Sequence, residues 1–460
     1  MIRTRAAIGP AQASYGQQQL WLIDQINPRS REYMVPVALH LTRPLDAEAM
    51  RMAFTRLAGR HEILRTRFRL EDDGKLVQLV DPAPNVQFEF CNARGREVGT
   101  WEPVAAEQLR KLAREPFDLE RGPLLRVGLT RLADDEHILA FLMHHIIFDA
   151  WSLRIIMVEL SELYAALSDG RTENLEPLPI QYADFSVWQR STEQERRFES
   201  QIIFWREHLE NLTPLELPTD FPRPAFRSGN GNALNLAVDP HAFARTVNLA
   251  RELRVTPYIV CLAVYQTLLG KYAGADDIVV GTPVLGRNRT EAENLIGFFV
   301  NTVVLRTDLS GDPTFIECVR RVREVCLDAF SYQDIPFTKL VDELRTGGDP
   351  SCTPLFRHTF IYNAPPLSEW KFAGSACDML PNPLGVAKCD LSLTVSEHGA
   401  GGTVRIEYST DLFKESTARK IGRDYLTLLQ SVLEIPQAVL SAHEITALGK
   451  QGGRLHQGVI

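Results

Sequence analysis

Apolar positions along the chain alternate between two spacings, and the switches between them outline the fold. From Leu45 to His61, the residues Met50, Phe54 and Leu57 fall on one helical face. From His137 to His145 the run is almost continuously apolar, as in a strand covered on both sides. Leu153, Ile156, Met157, Leu160, Leu163, Tyr164 and Leu167 then return to helical spacing. A buried strand, a short break and an amphipathic helix are therefore expected in that order.

The second half repeats this style. Thr256 and Pro257 read as N-cap and first residue of an apolar helix reaching about Tyr272. Asp277 to Pro283 reads as a strand, and Phe315, Val319, Val322 and Cys326 mark another amphipathic helix. Two stretches read as connectors: Leu217 to Pro224, whose three prolines forbid a regular helix or a central strand, and Asn363 to Pro366. Two α/β halves of similar size suggest two sandwich lobes with a cleft between them.

Composition narrows the class. With 460 residues, two or three domains are expected. An apolar share of 45% and a charged share of 23% fit an ordinary folded domain. A net charge of −8 argues against a nucleic-acid partner. The seven cysteines include no Cys-x-x-Cys pair and read as reduced thiols in or near the core. No apolar run reaches 18 residues, and no apolar segment follows Met1-Ile2-Arg3-Thr4-Arg5, so no membrane span or signal peptide is expected and the location reads as cytoplasmic.

The chemistry gathers in the break, Met143-His144-His145-Ile146-Ile147-Phe148-Asp149-Ala150-Trp151-Ser152. Histidine titrates near neutrality and can take a proton from an attacking nucleophile. A carboxylate such as Asp149 can orient the ring or organise the loop. The spacing lacks the i, i+4 histidine pair of a helical zinc site, and no cysteine lies nearby, so a metal is not expected. Adjacent histidines with a later aspartate also arise by chance, so the motif needs support from the rest of the chain.

That support is a resemblance. The ten residues resemble the His-His-x-x-x-Asp-Gly signature of nonribosomal peptide synthetase condensation domains, and six further motifs of that family follow in order. They are Ser14 to Trp21, Arg60 to Phe68, Tyr182 to Trp188, Ile296 to Arg306, Tyr332 to Phe337, and Asp349 to Phe356. Taken singly, Trp21, Phe68, Tyr182 and Trp188 read as packing residues, and Arg60, Glu62 and Arg65 as structural ion pairs. Gly297 reads as a bulge or a close backbone approach. Asn301, polar after Phe298, Phe299 and Val300, is expected to face the cleft.

The resemblance implies an α/β fold: a V-shaped pseudo-dimer of two chloramphenicol-acetyltransferase-like lobes with a central tunnel. The first lobe is expected over 1–180 with the histidine motif, a connector over 181–224, and the second lobe over 225–460. A latch at about 364–395 includes Ala387 to Leu393. The implied catalytic group is His145 with His144 and Asp149. Arg287 is the implied partner of Asp149, and Ala150, Trp151 and Ser152 are supporting residues. Asn301, Phe148 and Gly297 line the tunnel.

The implied reaction transfers an acyl or aminoacyl thioester from a carrier protein to an amine or hydroxyl. The acceptor sits on a second carrier or is a small molecule. No cofactor is bound permanently; the 4′-phosphopantetheine arm comes on the carrier. Gly297 to Thr302 and the Leu305 to Leu309 continuation resemble condensation domains that accept an L-configured donor, and a non-amino-acid donor stays open. The chain reads as a stand-alone enzyme, with no adenylation or carrier signature, and an excised module fragment stays open as the alternative. Arg223 and Arg227 are candidate surface charges for carrier docking. Departures from the pattern are Gly16, Phe148, Ala150 and Tyr332, of which Ala150, where glycine is usual, lies nearest the motif. Two other readings remain open: a non-catalytic docking module that recruits a tailoring enzyme, and an acyl-coenzyme A transferase.

Overall fold

In a computed structural model that describes residues 2–5, 9–28, 30–94, 100–344, 354–364, 371–380, 384–399 and 401–445, strand Glu136–His144 lies at the centre of a five-stranded sheet. Its neighbours are Met34–Leu41 on one side and Leu125–Ala133 on the other, both antiparallel. Gln87–Asn92 runs parallel at one edge. All but the first residue of the central strand are buried, which is why its sequence is apolar without alternation. Helices Ala47–Arg60 and Ala150–Ser168 follow the predicted periodicities and contact each other.

The second lobe is built on a six-stranded sheet in the order Asn301–Asp308, Asp277–Val284, His358–Asn363, Leu391–His398, Gly401–Ser409 and Gly231–Val238. Helix Pro257–Ala273 lies almost wholly buried in this lobe and ends at Gly274 in the left-handed conformation. Thr256 precedes it with extended backbone, but its hydroxyl makes no capping bond. Helix Phe315–Ser331 buries Phe315, Cys318, Val319, Val322 and Cys326.

Two hydrophobic cores correspond to the two lobes, yet the chain does not divide cleanly between them. Ala292, Leu295, Ile296, Phe299 and Phe372 come from the second half and are buried in the first lobe's core. Strand Asp378–Met379 extends the first lobe's sheet by pairing with His40 and Leu39. The second half thus reaches back twice to complete the first lobe.

The 181–224 stretch is more than a connector. Its helices Tyr182–Gln189 and Thr192–His208 pack into different lobes: Tyr182 and Phe185 join the first core, and Phe198, Ile202 and Trp205 the second. The proline-rich part, 217–224, is irregular as expected. Asp349 to Thr353, Cys352 among them, lies outside the described residues, as do positions 365–370 and 381–383 of the latch region and positions 446–460 of the second lobe. Among the described residues the cysteines are all free thiols, and no single helix is long and apolar enough to cross a membrane.

Candidate active site between the lobes

The apolar strand ends at His144, and the chain tightens into a short 3-10 turn, His145–Ile147, before Asp149 caps the next helix. The turn is pinned on two sides. The His145 N–H donates to the Tyr33 carbonyl (2.8 Å), and Gln17 Nε2 donates to the Ile146 carbonyl (3.3 Å). His144 is buried against Phe117. Its Nδ1 accepts the Ile146 N–H at 3.2 Å, which leaves the ring proton on Nε2. Burial, with a smaller contribution from Lys388, depresses His144 to about 3, so it is a neutral structural ring.

His145 sits between three aromatic rings. Ring centroids lie 5.1 Å away at Phe298, 6.5 Å at Tyr33 and 6.5 Å at Phe148. Among the described residues Nδ1 is buried without a hydrogen-bond partner, whereas Nε2 remains accessible. Burial holds the His145 pKa well below its ordinary value, and the Lys388 ammonium pushes the same way. The accessible nitrogen therefore belongs to a neutral imidazole at neutral pH.

Asp149 does not face this opening. Its Oδ1 accepts the Ser152 N–H (2.8 Å), the Ser152 hydroxyl (2.7 Å) and Arg287 Nη2 (3.0 Å). Its Oδ2 accepts the Phe299 N–H at 3.1 Å. Arg287 also donates to the carbonyls of Ala292 and Leu295, both at 2.7 Å, and lies over the Phe299 ring at 3.9 Å. Ser152 Oγ accepts from Gly297 N–H and Arg287 Nη2, each at 3.0 Å. Asp149, Ser152 and Arg287 are thus a buried clasp that joins the start of the motif helix to the loop 285–300 of the second half.

The motifs around Ser14, Tyr182 and Gly297 meet beside the same clasp. Tyr182 donates its hydroxyl to the Phe298 carbonyl (2.6 Å) and lies 2.9 Å from Ser14 Oγ. Gly297 is pressed against the Tyr182 ring, where an added Cβ would come within 2.0 Å of Cδ2. His61 bonds Glu159 at 2.7 Å, Arg60 bonds the same carboxylate at 3.1 Å, and Arg5 pairs with Asp184 at 3.2 Å. Trp151 donates Nε1 to the Glu293 carbonyl at 3.0 Å. Motif residues far apart in the chain are therefore neighbours in one inter-lobe network.

A cavity of about 230 Å³ opens between the lobes beside this network. It is lined by Gly16, Trp188, Arg197, Phe298, Asn301 and Phe337, among others, and Phe298 connects it to His145. Of the residues assigned to the tunnel, Asn301 lines this cavity, but its amide is committed to backbone groups of Gln333, Ile335 and Phe337. Phe148 and Gly297 are buried and absent from its wall; they pack beneath the site. Ala150 is exposed, opens the helix, and is not among the residues with positive φ, so no glycine is needed there. Gly16 packs against the Phe298 ring, and Tyr332 stacks on Phe204 at 4.1 Å.

Two expectations are corrected. Arg223 and Arg227 are not open surface charges: Arg223 pairs with Asp390, and Arg227 pairs with Glu32. Lys388, unremarked in the sequence beyond its place in the latch, is instead the cation that acts on both histidines.

Comparison with known proteins now adds the family. A family model described as "Condensation domain" matches residues 9–451. The chain belongs to the condensation-domain family. It is 41% identical over 434 residues to a linear gramicidin synthase of Brevibacillus parabrevis, covering 93% of this chain and 6% of that protein. The chain thus spans a small part of the curated relatives it matches. Among solved structures it is similar to the X-domain in a complex of the X-domain and OxyB from teicoplanin biosynthesis (TM-score 0.86, 28% identity, 96% of this chain and 98% of that one). It also matches the first condensation domain of the calcium-dependent antibiotic synthetase in complex with a substrate analogue (TM-score 0.80, 21% identity, 96% of this chain and 99% of that one), which places the two-lobed fold in this class. This condensation domain resembles those of nonribosomal peptide synthetases over almost its whole length.

Proposed function

We propose that this condensation domain transfers an acyl or aminoacyl group from a carrier-protein thioester to an amine, with a hydroxyl as the more demanding alternative acceptor. The observation that carries the reading is the accessible Nε2 of a neutral His145, held at the lobe boundary by Tyr33 and Phe298. The acceptor nitrogen attacks the thioester carbonyl, the C–N bond forms and the C–S bond breaks. The nitrogen's proton passes to His145 Nε2 and then to the departing thiolate of the phosphopantetheine arm.

The depressed basicity of His145 favours an amine. A free α-amino group has a pKa of roughly 7.7–8.0, so a usable fraction is already neutral. Once attack has begun, that nitrogen is acidic enough for a weak base. A hydroxyl needs a stronger base at an earlier stage. Asp149 takes no part in proton transfer in this reading; with Arg287 it positions the loop carrying His145. The acceptor arrives on a second carrier or as a small molecule.

Mass spectrometry of products from acyl-carrier thioesters offered with matched amine and alcohol acceptors tests the proposal. Amide product that depends on His145 supports it. Equal kcat/KM for the same acyl group on carrier protein and on coenzyme A would overturn the carrier requirement. A docking role is the second reading, favoured by the likeness to an X-domain found in complex with OxyB. Under that reading, no amide or ester forms and His145→Ala leaves partner binding unchanged.

A further inference from the structure

Segment 384–390 leads into strand Leu391–His398, and its backbone is clamped. Ala387 N–H donates to the Gly229 carbonyl (3.0 Å), Gly231 N–H donates to the Gly385 carbonyl (2.9 Å), and Arg227 donates to the Lys388 carbonyl. Gly231 sits so close to Ala387 that an added Cβ would come within 2.3 Å of it. This fixed backbone presents the Lys388 side chain toward the first lobe. Its Nζ lies 5.6 Å from the centroid of the Tyr33 ring, and Tyr33 is also the neighbour of His145. A second-lobe ammonium and the first-lobe imidazole thus share one aromatic wall.

The charges around Lys388 are already engaged. Glu32 pairs with Arg227, Asp390 pairs with Arg223, and Glu407 has Arg405 at 4.0 Å. Among the described residues Lys388 makes no ion pair, and it is solvent-exposed. Desolvation by the surrounding walls lowers its pKa from the ordinary lysine value, with Glu407 and Glu32 acting in the opposite direction. A cation in such a place is stabilised when a ligand brings the missing anion.

We propose that Lys388 is an anion-recognition residue of the cleft, which binds a carboxylate carried by the substrate next to His145. This rests on the transfer reading above and narrows its substrate class. The carboxylate has two possible sources with one chemistry: the acidic side chain of a carrier-tethered aminoacyl group, or the free α-carboxylate of an untethered amino-acid acceptor. An ammonium that stabilised the reaction's oxyanion would act on every substrate alike, which separates the two roles.

The test is affinity, measured calorimetrically with wild type, Lys388→Met and Lys388→Arg. One probe pair is aspartyl and asparaginyl pantetheine joined by a non-transferable amide; the other is free alanine and alaninamide. Lys388→Met is expected to weaken the carboxylate member of one pair about tenfold or more, as for a lost charge-assisted hydrogen bond, with its neutral partner little changed. Lys388→Arg should keep most of the discrimination. Discrimination in the first pair identifies a tethered side chain, and in the second a free acceptor. Equal losses for both members of each pair, or no loss in either, overturn the proposal. Bond formation is scored separately. Wild type that makes product without carboxylate discrimination defeats this inference alone. Carboxylate discrimination without product from any donor–acceptor pair defeats the transfer reading alone.

Discussion

Arg287 Nη2 reaches across the lobe boundary to both carboxylate oxygens of Asp149, at 3.0 and 3.2 Å, and both side chains are almost fully buried. Removing one partner of such a pair strands the other charge away from water, at a cost of about 3–5 kcal/mol. Asp149→Ala should therefore lower both the chemical-denaturation midpoint and turnover. Arg287→Met should do the same, and the double variant should recover part of the stability, because neither charge is left alone. Wild-type stability in either single variant would mean that the clasp contributes nothing.

His145 carries a different expectation. Among the described residues its Nε2 has no hydrogen-bond partner to lose, and its backbone N–H, which pins the turn to Tyr33, survives substitution. His145→Ala should keep the wild-type melting temperature to within a few degrees. Turnover should fall toward the lower end of the roughly 10²–10⁴-fold range for a general base with an amine acceptor, and further with a hydroxyl. Undiminished turnover in a folded variant, with both acceptors, would remove His145 from the mechanism.

The pH dependence has a definite sign. His144, His145 and His358 all have folded-state pKa values below the ordinary histidine value because of burial, with His144 at about 3 and His358 at about 4. As pH falls through about 6.5, the unfolded chain takes up protons that the folded chain refuses. Stability is therefore fully present above that pH and declines as the solution is acidified toward pH 4. Turnover with an amine acceptor should rise from pH 6 to about 8, following the acceptor's own deprotonation, with no step near 6.5. A limb at 6.5 that disappears in His145→Ala would show that the ring titrates normally in the working complex.

How much of this was legible in the sequence depends on the range of each interaction. The motif strand and helix were readable because burial on both faces and on one face leave different apolar periods, as in 137–145 and 153–167. The pairing of Asp149 with Arg287 came through family resemblance, since nothing local links residues so far apart. Lys388 escaped notice because its neighbours in sequence, Ala387 and Cys389, say nothing of Tyr33 and His145; only the fold brings them together. Arg223 and Arg227 misled for the same reason. A proline-rich context suggested an exposed loop, while their partners Asp390 and Glu32 come from distant segments. The role of Ala292 to Phe299 in the first lobe's core was equally hidden, because a domain boundary drawn on the chain does not show this return crossing; Phe372, by contrast, falls within the latch that the resemblance implied.

Two glycines near the site should respond differently to the same added methyl group. At Gly297, a Cβ would lie 2.0 Å from Tyr182 Cδ2. That ring cannot retreat: its hydroxyl is held by the Phe298 carbonyl and Ser14, and Phe185 and Phe299 pack against it at 5.6 and 4.9 Å. Gly297→Ala should therefore destabilise the fold by about 1–3 kcal/mol, the usual range for overpacking. At Gly16, the clash is with the ring edge of Phe298, 2.7 Å from Cε1. Phe298 is only partly buried and borders the cavity, so its ring has room to turn. The same ring stacks edge-on against His145, so turning it disturbs the wall that holds the imidazole. Gly16→Ala should leave the melting temperature nearly unchanged while altering kcat or KM. Thermal denaturation and steady-state kinetics on the two variants separate these effects. Equal loss of stability at both positions would mean that Phe298 is as rigidly held as Tyr182, and that the cavity wall beside His145 does not adjust.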